Sequence, residues 1–259
     1  MKEVKEQERL DKILANSGFG SRSDVKQLVK SGAVTVNGNV VLHSDIHVNL
    51  LYDRIAVDGE ELDVRVHVHY VMNKPAGYVC SAKTGANPTV FDLISEKDRG
   101  KRLGGELGIV GRLDLDTEGL LIFTTDGDLN HKLTSPRYHV PKRYYVQLMN
   151  PVSDKEQKNY VSKIAAGVHI PPEDHEPAAV CQGGRLEWLS EDECLLTIYQ
   201  GLYHEVKRIF AALGNKVEYL RRVGINQLSL DENLKSGEYR ELTSEEFSRL
   251  TDTLTNGIL

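Results

Sequence analysis

The sequence predicts a two-domain α+β protein: a small N-terminal helix–helix–hairpin unit followed by a larger unit on a mixed, largely antiparallel sheet. Three observations predict it. Two short amphipathic stretches precede Asn37-Gly38, which stands between β-branched runs and is a strong hairpin signal. Further on, short strands (LLIFTT, RYYVQL, ECLLTIYQ, INQLSL) alternate with helical pieces (NPTVFDLISEK, SDKEQKNYVSKIAAG, HEVKRIFAALG). There is no βαβ repeat, no GxGxxG and no GxxxxGK[ST], so nucleotide-binding folds lose support.

In ERLDKILANSG, Leu10, Ile13 and Leu14 take helical spacing, and Ser17-Gly18 ends the pattern. In SRSDVKQLVKSG, Ser21 is an N-cap with Asp24 three residues on; Val25, Leu28 and Val29 form the buried stripe, and Gly32 closes the helix. YDRIAVDGEELDVRV alternates apolar and polar residues around a second turn, Asp58-Gly59. The boundary is placed near Asp63, giving domains 1–63 and 64–251 and a frayed tail, 252–259. VHVHYVMNKPAGYVCS opens the second domain as strand, turn (Lys74-Pro75-Ala76-Gly77) and strand.

With 40% hydrophobic and 27% charged residues, the chain has the composition of a soluble globular protein. No apolar stretch approaches the ~18 residues of a membrane helix and no leader precedes the first helix, so a cytoplasmic protein with no membrane partner is expected. Cys80, Cys181 and Cys194 are too scattered for a disulfide framework or zinc site and read as reduced packing residues. The net charge of -6 argues against nucleic acid, yet its distribution is uneven. Residues 131–145 carry Lys132, Arg137, Lys142 and Arg143 with no acid, and residues 201–222 hold Lys207, Arg208, Lys216, Arg221 and Arg222. On the second helix and its approach, Arg22, Lys26 and Lys30 share one stripe, with Arg9 and Lys12 placed on the first helix. Such a stripe is ordinarily a solvated face; an anionic partner is the alternative.

GRLDLDTEGLLIFTTDGD, residues 111–128, wraps acids around an apolar strand. Asp114, Asp116 and Glu118 at i, i+2, i+4 could hold a divalent cation, but no histidine or second acid cluster has ligand spacing, so no metal is expected. They could be turn residues of a solvated loop, as Asp126-Gly127 suggests. Or Asp114 alone could be a working carboxylate, kept ionised by a cation from Lys207 or Arg208 and framed by Gly111, Gly119 and the strand. The residues by themselves leave the last two readings open.

RLDKILANSGFGSRSDVKQLVKSGAVTVNGNVV, within about residues 7–60, resembles the S-four-type RNA-binding domain, which implies that the basic stripe, with Arg9, Arg22 and Lys26, contacts RNA. GRLDLDTEGLLIFTTDG resembles the signature of the pseudouridine synthases, in the RsuA and Rlu branch acting on ribosomal RNA. NKPAG, PKRYYV and GLYHEVKRIFAALGNKVEYLRR resemble three further family motifs in the right order. The resemblance implies Asp114 as the catalytic aspartate, Tyr144 as the active-site tyrosine and Lys207 as the cation paired with the aspartate. It places Arg112 and Thr117 around them, with His204 and Arg208 as substrate contacts and Arg221 and Arg222 near phosphates. Glu205 stands where the family often has Gln, which puts a substrate contact there in doubt. The implied reaction turns uridine into its C-glycoside isomer without redox change, so no cofactor is expected. TSPRYH is closest to the 16S (small-subunit) enzymes, so the implied partner is 16S rRNA or a 30S assembly intermediate, met by a monomer. A 23S enzyme and a non-catalytic assembly factor are the alternatives.

Overall fold

The computed structural model describes residues 7–50, 52–62, 64, 67–83, 85–99 and 105–254. Two compact units result: Met1–Val68 with Arg99–Leu107, and His69–Asp98 with Gly108–Leu259. Asp63, the expected boundary, lies outside the described residues.

In the first unit β1 (Gln7–Arg9) leads into α1 (Leu10–Asn16) and then α2 (Arg22–Lys30). The expected cap of α2 is present: Asp24 N–H donates to the Ser21 hydroxyl at 3.3 Å, and Ser21 N–H donates to the Asp24 carboxylate at 2.8 Å. Then follow β2 (Val34–Val36), β3 (Asn39–Val40), β4 (His47–Asn49), β5 (Ile55–Val57) and β6 (Glu60–Glu61). The sheet runs β3-β2-β5-β6, and β1 pairs β4 apart from it. Asn37 (φ 54°) and Gly38 (φ 79°) are both left-handed, as are Asp58 and Gly59, so both hairpins turn in the sense that matches strand twist. Leu10, Ile13 and Leu14 pack on Val25, Val29, Val34 and Ile55, each burial worth about 2 kcal/mol.

Arg22, Lys26 and Lys30 are exposed on α2, as the spacing predicts. Arg9 departs from expectation. It lies in β1 rather than on α1, and its guanidinium grips the Asp11 carboxylate at 2.6 and 3.1 Å. That pairing holds the Asp11 carboxyl below its usual range.

The second unit contains β7 (His69–Lys74), α3 (Glu96–Arg99), β8 (Gly108–Val110), β9 (Glu118–Thr124), α4 (Gly127–Thr134) and β10 (Lys142–Leu148). It continues through α5 (Asp154–Ala166), β11 (Val168–Ile170), β12 (Ala179–Cys181), β13 (Arg185–Trp188) and β14 (Glu193–Ile198). It ends with α6 (Glu205–Ala212), β15 (Val217–Ile225), β16 (Leu228–Ser229), β17 (Tyr239–Glu241) and α7 (Ser244–Thr251). The large sheet runs β13-β14-β10-β15-β9-β7-β17, with β16 on β15 and β8 on β9. Among the described residues only β15 and β9 pair in parallel within it, so the expected mixed, largely antiparallel sheet is what forms. One core packs Leu129 and Leu133 of α4 and Leu250 of α7 on Leu120, Ile122, Val110 and Ile225.

Several local expectations change. NPTVFDLISEK is a 3-10 turn, Val90–Leu93, followed by the short α3, because Thr89 with Asp92 and Ser95 with Asp98 each start a new cap. INQLSL is a hairpin, not a strand: β15 ends at Ile225 and Asn226 turns the chain at φ 53°. Asp126 caps α4, its carboxylate accepting from Asp128 and Leu129 N–H at 3.0 Å each, where a plain turn was expected. Leu254, in the expected tail, is buried in the core; residues 255–259 lie outside the described residues. All three cysteines are free, and burial pushes the Cys181 and Cys194 thiols up to about 12. Among the described residues no helix is long and apolar enough to cross a membrane.

Candidate active site

Asp114 sits on the loop that climbs from β8 into β9, and Lys74 at the end of β7 fixes that loop from beneath. The Lys74 side chain is fully buried. Its ammonium donates to the carbonyls of Thr117 (2.8 Å), Pro75 (3.0 Å) and Asp114 (3.1 Å). Burial pushes the ammonium pKa down, and nearby acids, Asp114 among them, oppose that shift. Gly77 N–H donates to Leu115 O at 2.7 Å, tying the Lys74-Pro75-Ala76-Gly77 turn to the same loop. On the far side Arg222, also buried, donates from Nε to Leu120 O at 2.8 Å.

The loop enters β9 at the parallel seam with β15, where Arg221 faces Glu118 and Arg222 faces Gly119. Gly119 has φ 101°, and a Cβ there would lie 2.3 Å from Arg222 O. No other residue type fits that approach.

The other side of the site comes from β10 and α6. Residues of β10 alternate, so Lys142, Tyr144, Val146 and Leu148 point inward while Arg143 points out. Tyr144 is 8% exposed, opposite Arg222 across the β10–β15 ladder, and burial pushes its phenol pKa up against the pull of that guanidinium. It lines an open cleft with Asp114, Arg112, Thr117, His204 and Glu205. Thr117 is buried, and among the described residues its hydroxyl has no hydrogen-bond partner.

At the α6 N-terminus His204 adopts a left-handed backbone (φ 46°, ψ 30°), and its imidazole is stacked by Tyr203 at 3.8 Å. His204 Nδ1 lies 3.2 Å from Glu173, and Nε2 lies 3.7 Å from Asp114 Oδ1. Lys207 Nζ lies 3.5 Å from Asp114 Oδ2 and donates to both oxygens of Asp116 at 2.6 and 2.8 Å. Each oxygen of Asp114 thus faces a different nitrogen. A carboxylate held so is oriented by both contacts. Among the described residues no group of three or more His, Cys, Asp or Glu is placed to hold a metal ion. The ammonium of Lys207 fills the space between Asp114 and Asp116.

Asp114, Tyr144, Lys207, Arg112, Thr117 and His204 therefore converge. Arg208 does not join them as a substrate contact. It is 4% exposed, and its guanidinium is saturated by the carbonyls of Pro171, Tyr203 and Pro177 at 2.6 to 3.1 Å. Arg222, 3% exposed, serves the backbone through Nε, while among the described residues its Nη2 has no hydrogen-bond partner. Glu205 is a buried cap that accepts from Gly201 and Leu202 N–H at 2.6 and 2.7 Å; burial raises its pKa.

Residues 68–212 match the family of RNA pseudouridylate synthases. The chain belongs to that family. Residues 8–49 match the S4 domain. A Bacillus subtilis (strain 168) protein named as an uncharacterized RNA pseudouridine synthase, YtzG, is 40% identical over 94% of this chain and 98% of its own length. The ribosomal small subunit pseudouridine synthase A of Pasteurella multocida is 40% identical over 93% of this chain and 98% of its own. A crystal structure of a pseudouridylate synthase superposes with a TM-score of 0.62 at 36% identity, covering 93% of this chain and 99% of the other.

In this pseudouridylate synthase the sequence reading missed four site residues. Lys74 was visible only within the NKPAG turn, with no local sign that its ammonium would be buried among carbonyls. Asp116 was assigned to a solvated loop, yet it is the nearest partner of Lys207. Glu173 and Asp174 carried no pattern at all; they hold His204 and, through a 2.8 Å bond, the Tyr203 hydroxyl.

Proposed function

We propose that the protein isomerises a uridine of small-subunit (16S) ribosomal RNA to pseudouridine, as free RNA or in a 30S assembly intermediate, with Asp114 as the working carboxylate. The observation that carries the reading is the double hold on Asp114, Lys207 at one oxygen and His204 at the other, in a cleft shared with Tyr144. The small-subunit assignment is supported by the names of relatives such as those of Pasteurella multocida and Vibrio vulnificus. The reading also takes the enzyme as a cytoplasmic monomer.

The target uridine must leave its stack to reach the cleft, at a cost of a few kcal/mol, and a ring such as Tyr144 recovers part of it. Asp114 then either attacks the anomeric carbon or takes the ribose 2′ proton. Both routes break the glycosidic bond through a state with positive character at the sugar, which an ionised carboxylate stabilises. The freed uracil turns and its carbon 5 bonds to the anomeric carbon, as the Asp114–sugar bond breaks on the first route or as Asp114 returns the 2′ proton on the second. A proton then leaves carbon 5 and one arrives at nitrogen 1, so atoms and charge balance without a redox partner. Tyr144, which lines the cleft beside Asp114, is the candidate to assist the proton removal.

The test is chemical mapping of pseudouridine on 16S and 23S rRNA incubated with wild type and Asp114→Asn. Wild type should modify 16S rRNA, and the variant should lose at least about 1,000-fold in rate. Modification confined to 23S rRNA would overturn the substrate; equal activity of the variant would overturn the role of Asp114.

A further inference from the structure

We propose that the connection 134–142 is an RNA-docking rim of the active site, where Tyr138 stacks on a base beside the target uridine and Arg137 holds a flanking phosphate. The proposal rests on the reading of Asp114 as the working carboxylate of an RNA-modifying enzyme.

The location follows from how both ends are tied. Thr134 closes α4, and its methyl lies 3.7 Å from where a Cβ on Gly111 would sit. Gly111 directly precedes Arg112, which lines the cleft with Asp114. The other end enters β10 at Lys142, two residues before Tyr144, with Pro141 O accepting from Asn226 N–H at 2.8 Å. Tyr138 therefore lies within about 14 Å of Thr134 by chain length alone. Tyr138 is thus carried on a short span whose two ends are both anchored beside residues of the cleft.

The connection is also stiff. Pro136–Tyr138 is a 3-10 turn, with Tyr138 N–H donating to Ser135 O and His139 N–H to Pro136 O, each at 3.2 Å. His139 ends the turn in a left-handed conformation (φ 47°), and Val140 is buried in the core just beyond. The Tyr138 ring is nonetheless open, 37% exposed, and among the described residues its one ring–ring contact is with the edge of His131 at 6.2 Å. A rigid, exposed aromatic loses little freedom when it binds.

Charge selects the partner. The whole chain carries -6, yet no Asp or Glu occurs from His131 to Tyr145. Arg137 is exposed, and among the described residues it has no ion-pair partner. An unpaired guanidinium beside an open tyrosine, on an acid-free segment of an acidic protein, suits a polyanion with flat bases.

The rim is tested with the full chain and a small-subunit rRNA fragment, by equilibrium binding across a salt series and by pseudouridine formation. Arg137→Glu should weaken binding about ten-fold at low salt and lower the slope of log affinity against log salt by about one. Tyr138→Ala should raise KM about ten-fold with kcat within about two-fold, while Tyr138→Phe, which keeps the ring, should match wild type. Thermal unfolding should not move, because both side chains are exposed. Wild-type affinity, salt slope and KM in both Arg137→Glu and Tyr138→Ala would overturn the rim. A wild-type protein that binds this RNA without modifying it would overturn the proposed function instead, and the affinity series would still decide the rim.

Discussion

Arg22, Lys26 and Lys30 stand exposed along α2, whereas Lys74, Lys142, Arg208 and Arg222 of the second unit are at most 8% exposed. Lys142, Arg208 and Arg222 read in the sequence much as the first set does, as cations in basic stretches, whereas Lys74 stands alone in the NKPAG turn. The first set is free to meet phosphates. In the second, Lys74, Arg208 and Arg222 each donate to backbone carbonyls and so tie down the segments around the site. Lys142 differs from both sets: its ammonium is buried, and among the described residues it has no hydrogen-bond partner. In this molecule the environment of a cation, not its presence, separates binding from scaffolding.

The contrast is broken most severely at Lys74. Lys74→Met removes a donor shared by four carbonyls and should destabilise the protein by about 4 kcal/mol, with activity lost as the Asp114 loop loosens; urea denaturation and pseudouridine formation check both. A variant as stable and active as wild type would show that the clamp is incidental.

Lys142 should respond with the opposite sign. Burial, with Arg222 nearby, lowers its pKa from 10.5 to about 8, so the native state sheds this proton before the unfolded chain does. Below about 8 the burial penalty is present in full, and stability should rise with pH from there to 10.5. Lys142→Met should therefore stabilise at pH 7 by about 2 kcal/mol, with the gain fading towards the upper end of that window, as denaturation at a series of pH values would show. A gain that does not change with pH would exclude proton uptake as its cause.

The smallest effect on stability belongs to the open cations. Arg22→Glu with Lys26→Glu should change it by less than about 0.5 kcal/mol, yet weaken RNA binding and flatten its salt dependence. Loss of folding in that pair would mean the stripe is structural after all.

What could be read in advance follows the range of the interactions. The first unit is built from local signals: the Ser21–Asp24 cap, the Asn37-Gly38 turn and helical spacing all act within a few residues, and all formed where expected. Asp114, Tyr144 and Lys207 were identifiable because their motifs resemble a family's, and the fold brings them to one cleft. Lys74 and Arg208 were not legible, because their burial is created by carbonyls from distant segments. The start of α4 misled for a subtler reason. A short acid before glycine serves a turn or a helix cap equally well, and the weak stripe of Leu129 and Leu133 gave little sign of which would follow.

The parallel ladder at Gly119 also has a mechanical consequence. It joins two half-sheets over only two residue pairs. Asp114 hangs from one half, while Tyr144, His204 and Lys207 hang from the other. These side chains thus face one another across a joint, and their spacing is a reading of the torsion between the halves. With no room at Gly119 for a side chain, that joint is kept as tight as two backbones allow.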